Sequence, residues 1–279
     1  MNWNSLELGD VLLKILNSKK DFIEHKKQKN PLKNLIKHVS DGIHFDFYEA
    51  ISNKPNIQII AELKRSSASA GNLQTNLSIE EIAKIYLDNN CAAISVLTEK
   101  TKFSGDIEDL KSIFNLSKKF KTPLLQKDFI FDEYQIYEGK LNGASAVLLI
   151  LSILEPSQFK RLFELIESLN MTPLVEIFSE DELDLAINQG AEVIGINNRD
   201  LKKLETSLKV FENLAPLVPK NLTLIAESGI KSVEDVKLMA DLGADAILIG
   251  ETLLKAGKNC DQIIKEMSSI KKWRLKFVE

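Results

Sequence analysis

Histidine and cysteine are scarce in this chain of 279 residues, which holds three of the first and two of the second. His25, His38 and His44 all precede residue 50, so no histidine-based metal site can be assembled from the later part of the chain. Cys91 and Cys260 are too few and too far apart for a disulfide framework or a zinc site. A clustered basic excess is missing too. Lys and Arg number 36 against 40 Asp and Glu, the formal net charge is -4, and the signs are mixed throughout, which argues against a nucleic-acid platform. The opening Met-Asn-Trp-Asn-Ser-Leu-Glu-Leu lacks a basic stretch followed by an apolar run, so no secretory signal is expected. The most apolar segment, Ala144 to Leu154, falls short of the roughly 20 residues that cross a bilayer. These absences predict a soluble, reduced, cytoplasmic protein with no membrane partner, no nucleic acid and no metal.

What is present is a regular alternation. The first 50 residues are charged and read as helical, with Val11, Leu12, Ile15, Leu16, Phe22 and Ile23 in an interrupted apolar stripe. Asn30-Pro31 breaks that stripe, and Pro31 suits the first turn of a second helix ending near Val39. This segment is an extension that serves as a structural cap or as a lid over a binding mouth. From Ile57 onward, apolar strands begin near Ile57, Cys91, Pro123, Ala144, Pro173, Val193, Leu222 and Ala246. Capping-box pairs open several of the intervening helices: Ser78 with Glu81, Asp132 with Gln135, Ser179 with Glu182. Gly143, Gly190 and Gly243 stand where helix C-termini need a left-handed residue. Strands that are apolar on both faces and alternate with helices imply a parallel sheet. Eight such units in this length fit a closed (β/α)8 barrel better than an open sheet. The prediction is one α/β domain over residues 1–279, with 1–50 as its N-terminal helical extension.

An internal repeat supports the barrel. Even-numbered strands open alike, as Cys-Ala-Ala-Ile at 91, Gly-Ala-Ser-Ala at 143, Gly-Ala-Glu-Val at 190 and Gly-Ala-Asp-Ala at 243. Odd strands share Thr-Pro-Leu at 122 and 172, and Ile-Ala-Glu at 60 and 225. The odd strands also carry the charge: Glu62 with Lys64, Lys127, Glu176 and Glu227 each fall near a strand's C-terminal end. Each lies an even number of residues from an interior candidate, Ile60, Leu125, Leu174 or Ile225. Alternate strands feed the same interior layer, so these groups form one ring at the top of the barrel, the face where barrel enzymes place their active sites. Burying that much charge is costly unless the groups pair or bind something polar. A self-satisfying structural ring is one reading; a mouth built for proton transfer is the other.

Further residues belong to the same end. Ser66, Ser67, Ser69 and Gly71 form a small polar loop after the first strand. Asn197 and Arg199 share one parity after the sixth strand; the Arg fork suits a carboxylate, although an Asn there can also cap a helix. Phe129 follows Lys127 by two, and Phe103 lies in the long loop after the second strand; either can line the mouth or belong to the core. Ser228-Gly229 and Gly250-Glu251-Thr252 end strands seven and eight, where barrels commonly hold phosphate.

With these residues the sequence resembles indole-3-glycerol-phosphate synthase along nearly its whole length. The motifs are Ala-Glu-Leu-Lys-Arg (61–65), Ser-Val-Leu-Thr (95–98), Phe103-Ser104-Gly105, Lys-Asp-Phe (127–129) and Tyr134-Gln135-Ile136-Tyr137. Leu-Val-Glu (174–176), Gly-Ile-Asn-Asn-Arg-Asp-Leu (195–201), Ala-Glu-Ser-Gly-Ile (226–230) and Ile-Gly-Glu-Thr-Leu (249–253) follow in order. The resemblance implies conversion of 1-(2-carboxyphenylamino)-1-deoxyribulose 5-phosphate to indole-3-glycerol phosphate, CO₂ and water, in tryptophan biosynthesis, without metal or organic cofactor. It implies Lys127 as general acid, Glu176 in the dehydration, Glu62 supporting the lysine and Lys64 on substrate anions. By the same likeness Asn197, Arg199 and Glu227 hold the reacting part, Phe103 and Phe129 flank the ring, and Ser67, Ser228, Gly229, Gly250 and Glu251 bind phosphate.

The chain departs from that family at one loop, reading Ser67-Ala68-Ser69-Ala70-Gly71 where Ser-Pro-Ser-Lys-Gly is usual. Losing the proline loosens the loop, and losing the lysine removes a charge that favours phosphate. Glu251 beside a phosphate requires its N–H to be the ligand and its carboxylate to turn away. Alternatives are another phosphate-binding barrel enzyme, such as phosphoribosylanthranilate isomerase, whose family uses a cysteine at the end of the first strand, or a non-catalytic binding barrel. The expected assembly is a monomer or weak oligomer, with other tryptophan-pathway enzymes as candidate partners.

Overall fold

Eight short strands close into a parallel barrel in the computed structural model: β1 (Gln58–Leu63), β2 (Ala93–Leu97), β3 (Leu124–Lys127), β4 (Ala146–Ile150), β5 (Thr172–Ile177), β6 (Val193–Asn197), β7 (Thr223–Glu227) and β8 (Ala246–Ile249). It describes residues 3, 6, 8–40, 42–67, 71–72, 77–202 and 205–272, with backbone alone at 66–67, 71–72 and 258. Every strand pairs with its sequence neighbours, and β1 closes the ring by pairing with both β2 and β8. The reason is in the residues. β2, β4, β6 and β7 are buried at every position, one face toward the barrel interior and the other toward the helix layer. No helix among the described residues is long and apolar enough to cross a membrane.

Local chemistry starts the helices as expected, with additions. Complete capping boxes open α4 (Ile79–Asp88) at Ser78/Glu81 and α6 (Glu133–Leu141) at Asp132/Gln135. Two more, Asp106/Asp109 before α5 (Ile107–Ser117) and Ser232/Asp235 before α10 (Val233–Asp241), use Asp in the reciprocal position where Glu or Gln is usual. At α8 (Glu180–Gln189) the box is half formed: Ser179 accepts from Glu182 N–H, but the Glu182 carboxylate takes the Phe178 N–H at 2.6 Å. Gly143, Gly190 and Gly243 have φ of 92°, 89° and 96°, the left-handed C-terminal residues predicted.

The N-terminal extension comprises α1 (Asp10–Lys29), α2 (Leu32–His38) and a short α3 (Phe47–Ile51) that the sequence pattern did not announce. Pro31 is the N-cap of α2, one position before the expected first turn. α1 stands beside the mouth, where Val11, Leu12 and Ile15 share an apolar recess with Phe103 and Phe129. Lys27 bonds Asp132 at 2.6 Å, and Trp3 donates to the Ile153 carbonyl at 3.1 Å while meeting Phe131 edge-on. After α3 the chain reaches the opposite end of the barrel, where Ser52 and Thr223 hydroxyls lie 2.6 Å apart.

That lower end is sealed by the C-terminal segment. Ile57 N–H donates to Ile270, and Lys272 N–H donates to Pro55. Lys272 Nζ also reaches Asp245 at 2.7 Å, with side chains only 7% and 2% exposed. Asp245 additionally accepts the Leu224 N–H at 3.0 Å. Removing one partner of a buried ion pair leaves the other charge uncompensated. Lys272→Met is therefore expected to lower unfolding stability by about 3 kcal/mol, read from the urea midpoint at unchanged slope.

Candidate active site

Period-two geometry sends Glu62, Lys127, Glu176 and Glu227 from β1, β3, β5 and β7 into one cavity at the C-terminal ends of the strands. The cavity encloses about 930 Å³ including its open mouth. Lys127 is its centre. Its Nζ donates to Glu176 Oε2 at 2.9 Å and to Glu227 Oε2 at 2.5 Å. Both carboxylates are 1% exposed and the lysine 12%. Glu62 makes its own pair with Lys64 at 2.5 Å and acts on Lys127 through its field alone. The expected ring of charge is thus real, and it divides into a triad and a dyad.

Space for the triad comes from β6. A Cβ on Gly195 would sit 2.2 Å from Glu227 Oε1, so only glycine lets that carboxylate lie across the neighbouring strand. Electrostatics follow from burial. Desolvation works against the Lys127 cation, but Glu176, Glu227 and Glu62 outweigh it and raise its pKa above the ordinary lysine range. Desolvation, with Glu176 beside it, pushes Glu227 up to about 8 despite the lysine. Glu62 moves the other way: burial alone would raise it, and Lys64 followed by Lys127 hold it below the usual carboxylate range. Glu176 Oε1, Glu227 Oε1 and Arg199 Nη1 are buried without a hydrogen-bond partner among the described residues. Unsatisfied groups of both signs on the walls of one cavity favour a polar ligand there.

The remaining expectations sort by position. Asn197 and Arg199 both line the cavity, and Asn197 Oδ1 accepts the Arg199 N–H at 3.0 Å. The capping alternative belongs to the next residue: Asn198 accepts from Phe211 N–H in α9 (Lys209–Leu214) and donates to the Ser228 carbonyl. Phe103 and Phe129 face each other across one wall, centroids 6.4 Å apart. Ser228, Gly229, Gly250 and Glu251 line the cavity on the β7–β8 side, and the Glu251 carboxylate bonds Lys255 at 2.6 Å, one turn along α11 (Glu251–Ala256). The Ser67 backbone pairs with Gly71 where two antiparallel strands of two residues each meet; its side chain, and Ala68 and Ala70, lie outside the described residues. Cys91 and Cys260 are buried away from this cavity, so the end of β1 offers Glu62 and Lys64 and no thiol.

Comparison with known proteins agrees with the geometry. The family model of indole-3-glycerol phosphate synthase matches residues 12–267. The chain belongs to the indole-3-glycerol phosphate synthase family. It is 42% identical over 253 residues to the indole-3-glycerol phosphate synthase of Thermoanaerobacter pseudethanolicus, covering 91% of this chain and 95% of that one. The Acetivibrio thermocellus synthase is 42% identical over 231 residues, covering 82% and 87%. Among solved structures, 3-hexulose-6-phosphate synthase from Salmonella typhimurium superposes with a TM-score of 0.60 at 15% identity, covering 76% of this chain and 97% of that one. That likeness shows the barrel fold alone.

Within this family member, sequence reasoning overlooked Glu99. It is 1% exposed and lines the cavity. Its carboxylate accepts the N–H groups of Thr101, Lys102 and Phe103 and the Thr101 hydroxyl, at 2.6 to 3.1 Å. The loop that presents Phe103 is therefore wound around one buried anion. An acid two residues past an apolar strand was the available signal.

Burial also sets a pH dependence. Glu227 rises to about 8, and Glu182, desolvated and near Glu176, rises to about 7, from ordinary values near 4.5. Between those limits the folded protein holds protons that the unfolded chain has released, so stability falls as pH rises from 4.5 toward 8. Glu227→Gln is expected to flatten the upper part of that decline, measured as urea midpoints from pH 5 to 8.5.

Proposed function

We propose that this chain closes the indole ring, converting 1-(2-carboxyphenylamino)-1-deoxyribulose 5-phosphate to indole-3-glycerol phosphate. The observation that carries the reading is Lys127 gripped by Glu176 and Glu227 at the base of a cavity with one aromatic wall. The reaction joins the aryl carbon that bears the carboxylate to the sugar ketone carbon. Its oxygen takes up a proton, CO₂ leaves, and loss of that hydroxyl as water with a ring-side proton completes the pyrrole. It needs a proton donor near the ketone oxygen, an acceptor for the later proton, cationic groups for a carboxylate and a phosphate, and an apolar wall for the ring.

Each requirement has a candidate. Lys127 remains a cation throughout the neutral range because three acids raise its pKa over the cost of burial. It acts as general acid on the ketone oxygen. A proton on Glu227 leaves the lysine with one fewer charged partner, which brings its acidity closer to a working value. Glu176, already on the lysine, takes part in the dehydration. Lys64, oriented by Glu62, meets a substrate anion. Arg199 and Asn197 hold the reacting centre; the buried Arg199 Nη1, without a partner among the described residues, donates to the carboxylate. Phe103 and Phe129 together form the apolar wall against which the aryl ring lies. Backbone N–H groups at Ser228-Gly229 and Gly250-Glu251 take the phosphate, with Ser67 joining them from the first loop. Lys255 pairs with the Glu251 carboxylate, which offsets its negative charge beside the anion.

Purified protein given this substrate is expected to show growth of indole fluorescence; a flat trace overturns the reading. Lys127→Ala is expected to lower kcat by at least roughly 100-fold, the lower end for general acid–base groups. A variant turning over at the unmodified rate removes Lys127 from its role.

A further inference from the structure

The apolar stripe of α1 contains one residue of the wrong kind. Leu12, Leu16, Lys19 and Ile23 are its buried positions, spaced as one helix face, and the third is a lysine. Lys19 Nζ bonds the Asp128 carboxylate at 2.7 and 2.8 Å, with side chains 6% and 5% exposed. Docking a helix does not require this. A well-packed apolar pair is generally at least as stable as a buried ion pair, because both ions lose their water. What the pair contributes has to be sought in what Asp128 holds.

Asp128 sits between Lys127 and Phe129, and all three contribute to the cavity lining. Its carboxylate accepts the Phe129 N–H at 2.8 Å and the Thr98 hydroxyl at 2.7 Å. Thr98 also donates its own N–H to the Lys127 carbonyl at 3.0 Å. The Phe129 carbonyl is held from the other side by Gln135 Nε2 at 2.8 Å. The backbone carrying the central lysine and one aromatic wall is therefore clamped on the outside of the barrel, and the outermost member of the clamp comes from α1. Thr98 directly precedes Glu99, which shapes the Phe103 loop, so the second ring of the aromatic wall hangs from the same point.

We propose that Lys19 is a positioning residue for the ring-closing reaction, acting through Asp128 to fix the Lys127–Phe129 backbone. The inference rests on the synthase reading of the cavity. It gives the N-terminal extension a defined role, with α1 completing the outer side of the catalytic strand end. A small error in placing Lys127 acts on the chemical step more than on binding, since the phosphate contacts on the β7–β8 side are untouched.

The test compares full-length Lys19→Met, Lys19→Arg and Thr98→Val with the unmodified protein, at a temperature where circular dichroism shows each fully folded. Lys19→Met is expected to lose about tenfold or more in kcat with KM changed by less than about threefold, and Lys19→Arg to restore most of the loss. Thr98→Val keeps shape and charge, and is expected to lower kcat in the same direction. Amide exchange at residues 127–130 should quicken in Lys19→Met and Thr98→Val and stay slow in Lys19→Arg. Unchanged kcat in folded Lys19→Met and Thr98→Val overturns the proposal, as does unchanged exchange at 127–130. Should Lys19→Met not fold, Thr98→Val decides by the same readouts. Absence of turnover in the unmodified protein instead overturns the synthase reading, and the exchange measurement then judges the clamp by itself.

Discussion

One cation among three buried acids governs the upper half of this molecule. Lys127 reaches Glu176 and Glu227 in a space nearly closed to water, and Glu62 adds its field from β1. No member can be left alone there, because an unpaired buried charge costs several kcal/mol. The surrounding architecture answers to that condition. Alternate strands must end at one level, β6 must carry glycine beside Glu227, and Glu62 must bring its own lysine. Mutual satisfaction is incomplete, since one oxygen of Glu176, one of Glu227 and one Arg199 nitrogen remain unmatched among the described residues. That remainder favours a polar ligand in the mouth over an inert ring of salt bridges.

The barrel divides its labour between its ends. Below, Asp245 and Lys272 form an ion pair whose partners are closely satisfied, and the C-terminal segment seals the floor. Above, the chain accepts raised and lowered pKa values, a left-handed Ser228 at φ 62° and a carboxylate-wound loop around Glu99. The perturbed carboxylates Glu62, Glu182 and Glu227 gather at the end where ligands would bind, as expected when perturbed charge is tolerated for function. The extension joins both ends, with α1 beside the mouth and Ser52 at the floor.

Much of this was legible without coordinates. Apolar runs alternating with capped helices announced eight strands, and each observed strand starts within two residues of its expected position. The even–odd repeat placed Glu62, Lys127, Glu176 and Glu227 together because strand parity is a strict geometric rule. Arg199, Asn197, Phe103 and Phe129 came to the same cavity from strand ends and loops. Other features escaped for definite reasons. Asp132 and Gln135 made a visible box, whereas Asp106 with Asp109 did not match the usual residue types. Glu99 and Lys19 went unmarked, because a single charged letter does not reveal whether its neighbours in space will bury it.

The chain's order of residues determined by itself the barrel class, the strand count and the set of charged side chains sharing one face, since all three follow from periodicity. Only the folded molecule decided the pairings: Lys127 between Glu176 and Glu227, Lys64 with Glu62, Lys19 with Asp128 across the extension. Those choices depend on distances between segments far apart in the chain. Electrostatic energy at close range varies steeply with such distances and with burial, and neither is written in the local pattern.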